Sequence, residues 1–84
     1  MRQIWVVDDD RSISWVLEKA LTRAQMPFRL FESAADVVKA FEHDTPSVLL
    51  SDIRMHDMSG LDLLAFVKNK YPGLPVIIMT AFSD

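Results

Sequence analysis

The 84-residue chain has room for one small domain, and with half its residues hydrophobic and a quarter charged it has a globular balance. Nine basic residues against twelve acidic ones give a net charge of −3, which excludes a basic module that grips nucleic acid by its phosphates. Cysteine is absent, so disulfide scaffolds, thiolate zinc sites and cysteine nucleophiles are excluded as well.

Met1-Arg2-Gln3 leads into Ile4-Trp5-Val6-Val7 with no cleavable signal, and a cytoplasmic location is the default expectation. The apolar run, rich in β-branched and aromatic types and closed by Asp8-Asp9-Asp10, predicts a strand buried on both faces. From Ile13 the period changes. Ile13, Val16, Leu17, Ala20, Leu21 and Ala24 recur at helical spacing, and Pro27 stops that helix. Trp15 lies beside these positions, and the expectation is that it packs partly against a loop. Phe28 to Phe31 form a second strand. Ser33 with Asp36 resembles a capping box for a second helix carrying Ala34, Val37, Val38 and Phe41 on one face.

Thr45-Pro46 is a turn before a third buried strand, Val48-Leu49-Leu50, which ends at Ser51-Asp52. After a loop, Ser59 and Asp62 repeat the capping pattern for a third helix with Leu61, Leu64, Ala65 and Lys68 on one side. Tyr71-Pro72-Gly73 ends it, and Pro75 opens a fourth strand, Val76 to Met79, which delivers Thr80 at its end. The longest apolar run, Leu74 to Ala81, is broken by Pro75 and too short to cross a bilayer. The order β-α-β-α-β-α-β, joined by right-handed crossovers, predicts an α/β domain: a doubly wound parallel sheet with helices on both faces.

Ligands of an open parallel sheet bind beyond the carboxyl ends of its strands. Here the first strand ends in Asp8-Asp9-Asp10, the third in Asp52 and the fourth in Thr80. If the first and third strands are neighbours, several carboxylates meet, and like charges so close raise one another's pKa unless a cation intervenes. Mg²⁺ suits them, because it takes hard oxygen ligands. Any one of these aspartates has a plainer use as a turn former, and Asp10 as a helix N-cap.

The segments Val6-Val7-Asp8-Asp9, Ser51-Asp52-Ile53-Arg54-Met55, Ser59-Gly60-Leu61 and Val76-Ile77-Ile78-Met79-Thr80-Ala81 together resemble the response-regulator receiver domain of two-component signalling. The resemblance covers the whole chain in order. It implies a flavodoxin-like (CheY-like) sheet of order 2-1-3-4, with residues 1–84 forming a partial receiver domain that lacks the family's fifth strand and last two helices. It implies that Asp52 is the phosphoacceptor, taking its phosphoryl group from a sensor histidine kinase, and that Thr80 supplies a switch hydroxyl. Mg²⁺ would be held by Asp8, Asp9, Asp52 and the backbone carbonyl of Arg54. The domain would be a switch rather than an enzyme. In a longer parent protein it would govern sigma-54-dependent transcriptional activation through further domains, without touching nucleic acid or membrane itself.

Three departures from the family pattern stand out. His56 replaces the usual proline after Met55, and Ser59 replaces the usual aspartate before Gly60. The third is the missing C-terminal part, which includes a lysine that contacts the phosphate; Lys68 and Lys70 lie too far along the third helix to replace it. An apolar fourth strand left unpaired on one flank predicts a homodimer or a domain-swapped pair, or else a remainder of the domain that the protein carries beyond these residues. Two other readings stay open. One is a haloacid-dehalogenase-type phosphatase fragment with Asp8 as nucleophile, Asp10 as general acid-base and Met79-Thr80 as second motif, which leaves Asp52 without a role. The other is a receiver-like interaction module that never takes phosphate.

Overall fold

The computed structural model describes residues 2–55 and 57–79. Its elements are β1 (Ile4–Val7), α1 (Arg11–Arg23), β2 (Phe28–Phe31), α2 (Ala34–Ala40), β3 (Val48–Asp52), α3 (Gly60–Lys70) and β4 (Val76–Met79). All strand pairings are parallel and the sheet order is β2-β1-β3-β4, as the resemblance implies. β1 is paired on both sides and buried along its whole length, which accounts for its unbroken apolar sequence.

Register decides what each face carries. Trp5 lies opposite Arg29 and Leu49, and Val7 opposite Phe31 and Ser51. Side chains alternate along strands, so Trp5, Val7, Phe31 and Leu49 share one face. There they form the core with Ala34, Val37 and Phe41 from α2 and its C-terminal end, and with Leu63 and Val67 from α3. Trp5 sits at the centre, its ring edge-on to Phe31 at 5.1 Å and to Phe41 at 5.0 Å. Removing a ring so enclosed costs about 3–5 kcal/mol. That exceeds the roughly 1–3 kcal/mol of leaving one buried donor unpaired, which is the situation of Trp5 Nε1 among the described residues.

Ile4 and Val6 point to the opposite face, which α1 crosses between β1 and β2. α1 starts on the side chain of Asp10, which accepts from Ser12 N at 2.8 Å. It ends well before Pro27. Gln25 takes a left-handed φ of 58°, while Gln25 N donates to Thr22 O and Met26 N to Leu21 O, both at 3.0 Å. That Schellman closure, rather than the proline, terminates the helix.

Two expected helix faces need correction. α1 buries none of its residues: Ile13 and Val16 are exposed, and only Leu17 and Leu21 of the predicted stripe are half-buried. The stripe has the expected period, but α1 is the one helix on its side of the sheet among the described residues, so nothing covers its far flank. Ile77 of β4, on that same face, is 52% exposed for the same reason. Trp15 is more open than expected, 59% exposed, with Lys19 Nζ 5.2 Å from its ring centroid. In α3 the buried residues are Gly60, Leu63 and Val67, whereas Leu61, Ala65 and Lys68 of the predicted face are exposed. Apolar residues lie all round this helix, so period alone does not select a face.

Candidate metal centre

The pairing of Val7 with Ser51 brings the next residues of the two strands, Asp8 and Asp52, level with each other at the carboxyl end of the sheet. Carboxylate oxygens of Asp8, Asp9 and Asp52 lie within 4.8 Å of one another. Asp8 and Asp52 are buried and Asp9 is half-buried. The backbone supports each of the two buried groups: Asp8 Oδ1 accepts from Asp10 N, and Asp52 Oδ1 from Ile53 N, each at 2.8 Å. Burial, and then the charges of Asp52, Asp10 and Asp9, push the Asp8 carboxyl above the usual carboxylate range, against the lowering pull of the Asp10 N–H. Three carboxylates brought this close, one of them held back from ionising by burial and by its neighbours' charge, offer hard oxygen donors that fit a divalent cation such as Mg²⁺.

Asp10 stands apart from this cluster, because its Oδ1 caps α1 through Ser12 N. An aspartate engaged as a cap is poorly placed to serve as a general acid-base, and the phosphatase-like pairing of Asp8 with Asp10 is not favoured. Arg54 lies on the exposed loop between β3 and α3, two residues beyond Asp52. Thr80 and His56 fall outside the described residues. Lys68 Nζ donates to Leu74 O at 2.9 Å, which keeps it at the far end of α3 from the aspartates.

The loop after Asp52 is fixed at several points. Ile53 N also donates to Met79 O at 3.2 Å, and Gly60 N donates to Ile53 O at 2.8 Å. Ser59 caps α3 by accepting from Asp62 N, as the sequence pattern predicts. One loop residue escaped the sequence reading: the carboxylate of Asp57 accepts from Ala34 N at 3.3 Å and Ala35 N at 2.9 Å, at the start of α2. No local motif announces this, since the partners are separated by 22 and 23 residues. An acid one position past His56 in a loop at the carboxyl edge was the available hint.

Comparison with known proteins places the chain in a family. The profile of the response regulator receiver domain matches residues 4–84. The DNA-binding transcriptional regulator NtrC of Proteus hauseri is 64% identical over 81 residues, 96% of this chain, and that of Escherichia coli K12 is 58% identical over 81 residues. The chain spans 17% of the length of these relatives. The solution structure of the BeF3-activated receiver domain of Nitrogen Regulatory Protein C aligns over all of this chain and 69% of that one, with 55% identity and a TM-score of 0.81. The response regulator TrrA of Thermotoga maritima, in complex with Mg(2+)-BeF, aligns over 99% of this chain and 72% of that one, with 28% identity and a TM-score of 0.90. The chain belongs to the response regulator receiver domain family, and its likeness is to receivers of the NtrC type.

Proposed function

We propose that this chain, residues 1–84 of a response regulator receiver domain, is the phosphoacceptor part of a two-component switch, with Asp52 as the acceptor. The observation that carries the proposal is the meeting of the Asp8, Asp9 and Asp52 carboxylates within 4.8 Å at the ends of two adjacent strands. Asp52 is the member that can act as nucleophile while Asp8 and Asp9 remain with the cation. An oxygen of Asp52 forms the new bond to phosphorus as the P–N bond of a kinase phosphohistidine breaks. The imidazole leaves with that electron pair and takes up a proton. The carboxylate oxygens of Asp8, Asp9 and Asp52, with the carbonyl oxygen of Arg54, would hold Mg²⁺, which supplies charge neutralisation for the phosphoryl oxygens. Thr80, next in the chain after β4, is proposed as the switch hydroxyl.

Phosphoryl transfer asks a protein mainly for positioning and charge compensation, which a regulatory domain can supply without being an enzyme. The rest of the reading follows from kinship with NtrC regulators. The partner is a sensor histidine kinase, the location is cytoplasmic, and the output is transcriptional activation by other parts of the parent protein. This domain, with its net charge of −3, does not itself grip DNA. Among the described residues β4 is the edge strand, and its outer flank supports self-association of this chain as a homodimer or swapped pair.

The test is phosphorylation by a small-molecule phosphodonor in the presence of Mg²⁺, read by intact-protein mass spectrometry. The expected result is one added phosphoryl group that hydroxylamine removes, as it does an acyl phosphate, and no addition to Asp52→Asn. Labelling of Asp52→Asn to the same extent would overturn the assignment.

A further inference from the structure

The side chain of Asp57 joins two parts of the molecule that the chain keeps far apart. It sits five positions beyond Asp52, in the loop that leaves the metal centre, and binds the first two N–H groups of α2. Those N–H groups have no partner within the helix. The next two are satisfied locally, Asp36 N by Ser33 Oγ at 3.2 Å and Val37 N by Ser33 O at 3.4 Å. Ser33 thus serves half of the first turn, and the loop from the metal centre serves the other half. Ala34 is fully buried, so its N–H cannot simply turn to water if Asp57 withdraws.

The loop is therefore anchored at both ends of the segment that carries Arg54. On one side Ile53 is held by Met79 O and by Gly60 N; on the other Asp57 is held by α2. We propose that Asp57 is a positioning residue for the Asp8–Asp9–Asp52 centre, a strut between the phosphorylation loop and the N-terminus of α2 that fixes the segment carrying Arg54. The proposal rests on the receiver reading given above and extends it: occupation of the centre is felt at α2 through this carboxylate. Charge favours the arrangement, since a carboxylate at a helix N-terminus meets the positive end of the helix dipole.

The test is a Mg²⁺ titration of the chain, of Asp57→Ala, of Asp57→Asn and of Asp52→Asn, followed by tryptophan fluorescence and by the backbone amide resonances of Ala34 and Ala35. Groups that orient a metal ligand without binding the metal are worth about 10- to 100-fold in affinity, and Asp57→Ala is expected at the lower end of that range. Asp57→Asn keeps an acceptor oxygen and should recover most of the loss. In the unaltered chain Mg²⁺ should shift the Ala34 and Ala35 amides with the same midpoint as the fluorescence. If Asp57→Ala binds Mg²⁺ as well as the parent while Asp52→Asn does not, the strut is overturned and the centre stands. Should Asp57→Ala fail to fold, the amides of the unaltered chain decide, and resonances that do not move overturn the proposal. Absence of Mg²⁺ binding by the unaltered chain would overturn both the strut and the reading beneath it.

Discussion

Gly60 lies so close to the main chain of Asp52 that a Cβ at Gly60 would overlap the Asp52 carbonyl oxygen and stand 2.8 Å from the Cα of Ile53. The first turn of α3 thus rests directly on the backbone that aims the proposed phosphoacceptor, an approach possible only without a side chain.

Gly60→Ala should accordingly force α3 and β3 apart. Overpacking of this kind costs about 1–3 kcal/mol, even though alanine favours the helix itself by up to about 1 kcal/mol. Urea denaturation should show a net loss of stability, accompanied by weaker Mg²⁺ binding. Unchanged stability would mean that α3 can slide away freely and does not brace Asp52.

Asp8 holds its proton more tightly in the fold than in the unfolded chain, because it is buried and because Asp52 adds negative charge beside it. With the folded pKa above the unfolded one, the stability linked to protonated Asp8 is present at low pH and lost as pH rises through the folded value. Asp8→Asn should therefore stabilise the Mg²⁺-free protein at neutral pH, and its advantage should vanish below the ordinary carboxylate range. Urea midpoints measured across that interval check it, and a pH-independent difference would contradict the linkage. Mg²⁺ affinity of the parent chain should fall over the same acid interval.

Asp10 is predicted to contribute to folding and not to the metal. Asp10→Ala removes the α1 cap, a loss of about 1 kcal/mol, and should leave the Mg²⁺ midpoint essentially where it is. A loss of affinity as large as that of Asp9→Ala would make Asp10 a ligand instead.

β4 offers a free flank among the described residues, and Ile77 stands half exposed on the face that α1 leaves open. Sedimentation velocity of the parent chain should show concentration-dependent association, and Ile77→Lys should shift it toward monomer. A parent chain that stays monomeric and folded at every concentration would rule out association through β4.

The strands were legible because each is a short β-branched or aromatic run closed by turn chemistry. Once β1 and β3 are parallel neighbours, Asp8 and Asp52 come level, whereas the choice of Asp9 over Asp10 came from the family resemblance and not from the pairing. The caps at Ser33 and Ser59 were equally plain, since their partners lie three residues away. The buried side of α3 was not legible. Leu61, Leu63, Leu64, Phe66 and Val67 offer apolar surface in several directions, and the deciding contact is made by Gly60, which carries no hydropathy signal. Asp57 was hidden for a different reason: its partners are neighbours only after β2 and β3 have flanked β1.

The central place of β1 bears on how the molecule comes apart. Asp8 and Asp9 are carried by a strand held on both sides, so they keep their positions until the whole sheet opens. Asp52 ends a strand whose outer neighbour, β4, is the edge among the described residues, so peeling β4 away with α3 would free its loop while β1 and β2 stay paired. The centre is thus built across the seam between a strand paired on both sides and one whose outer neighbour can peel away. A bound cation bridging Asp52 to Asp8 and Asp9 would join the two into a single cooperative unit, so that amides of β4 exchange as slowly as those of β1.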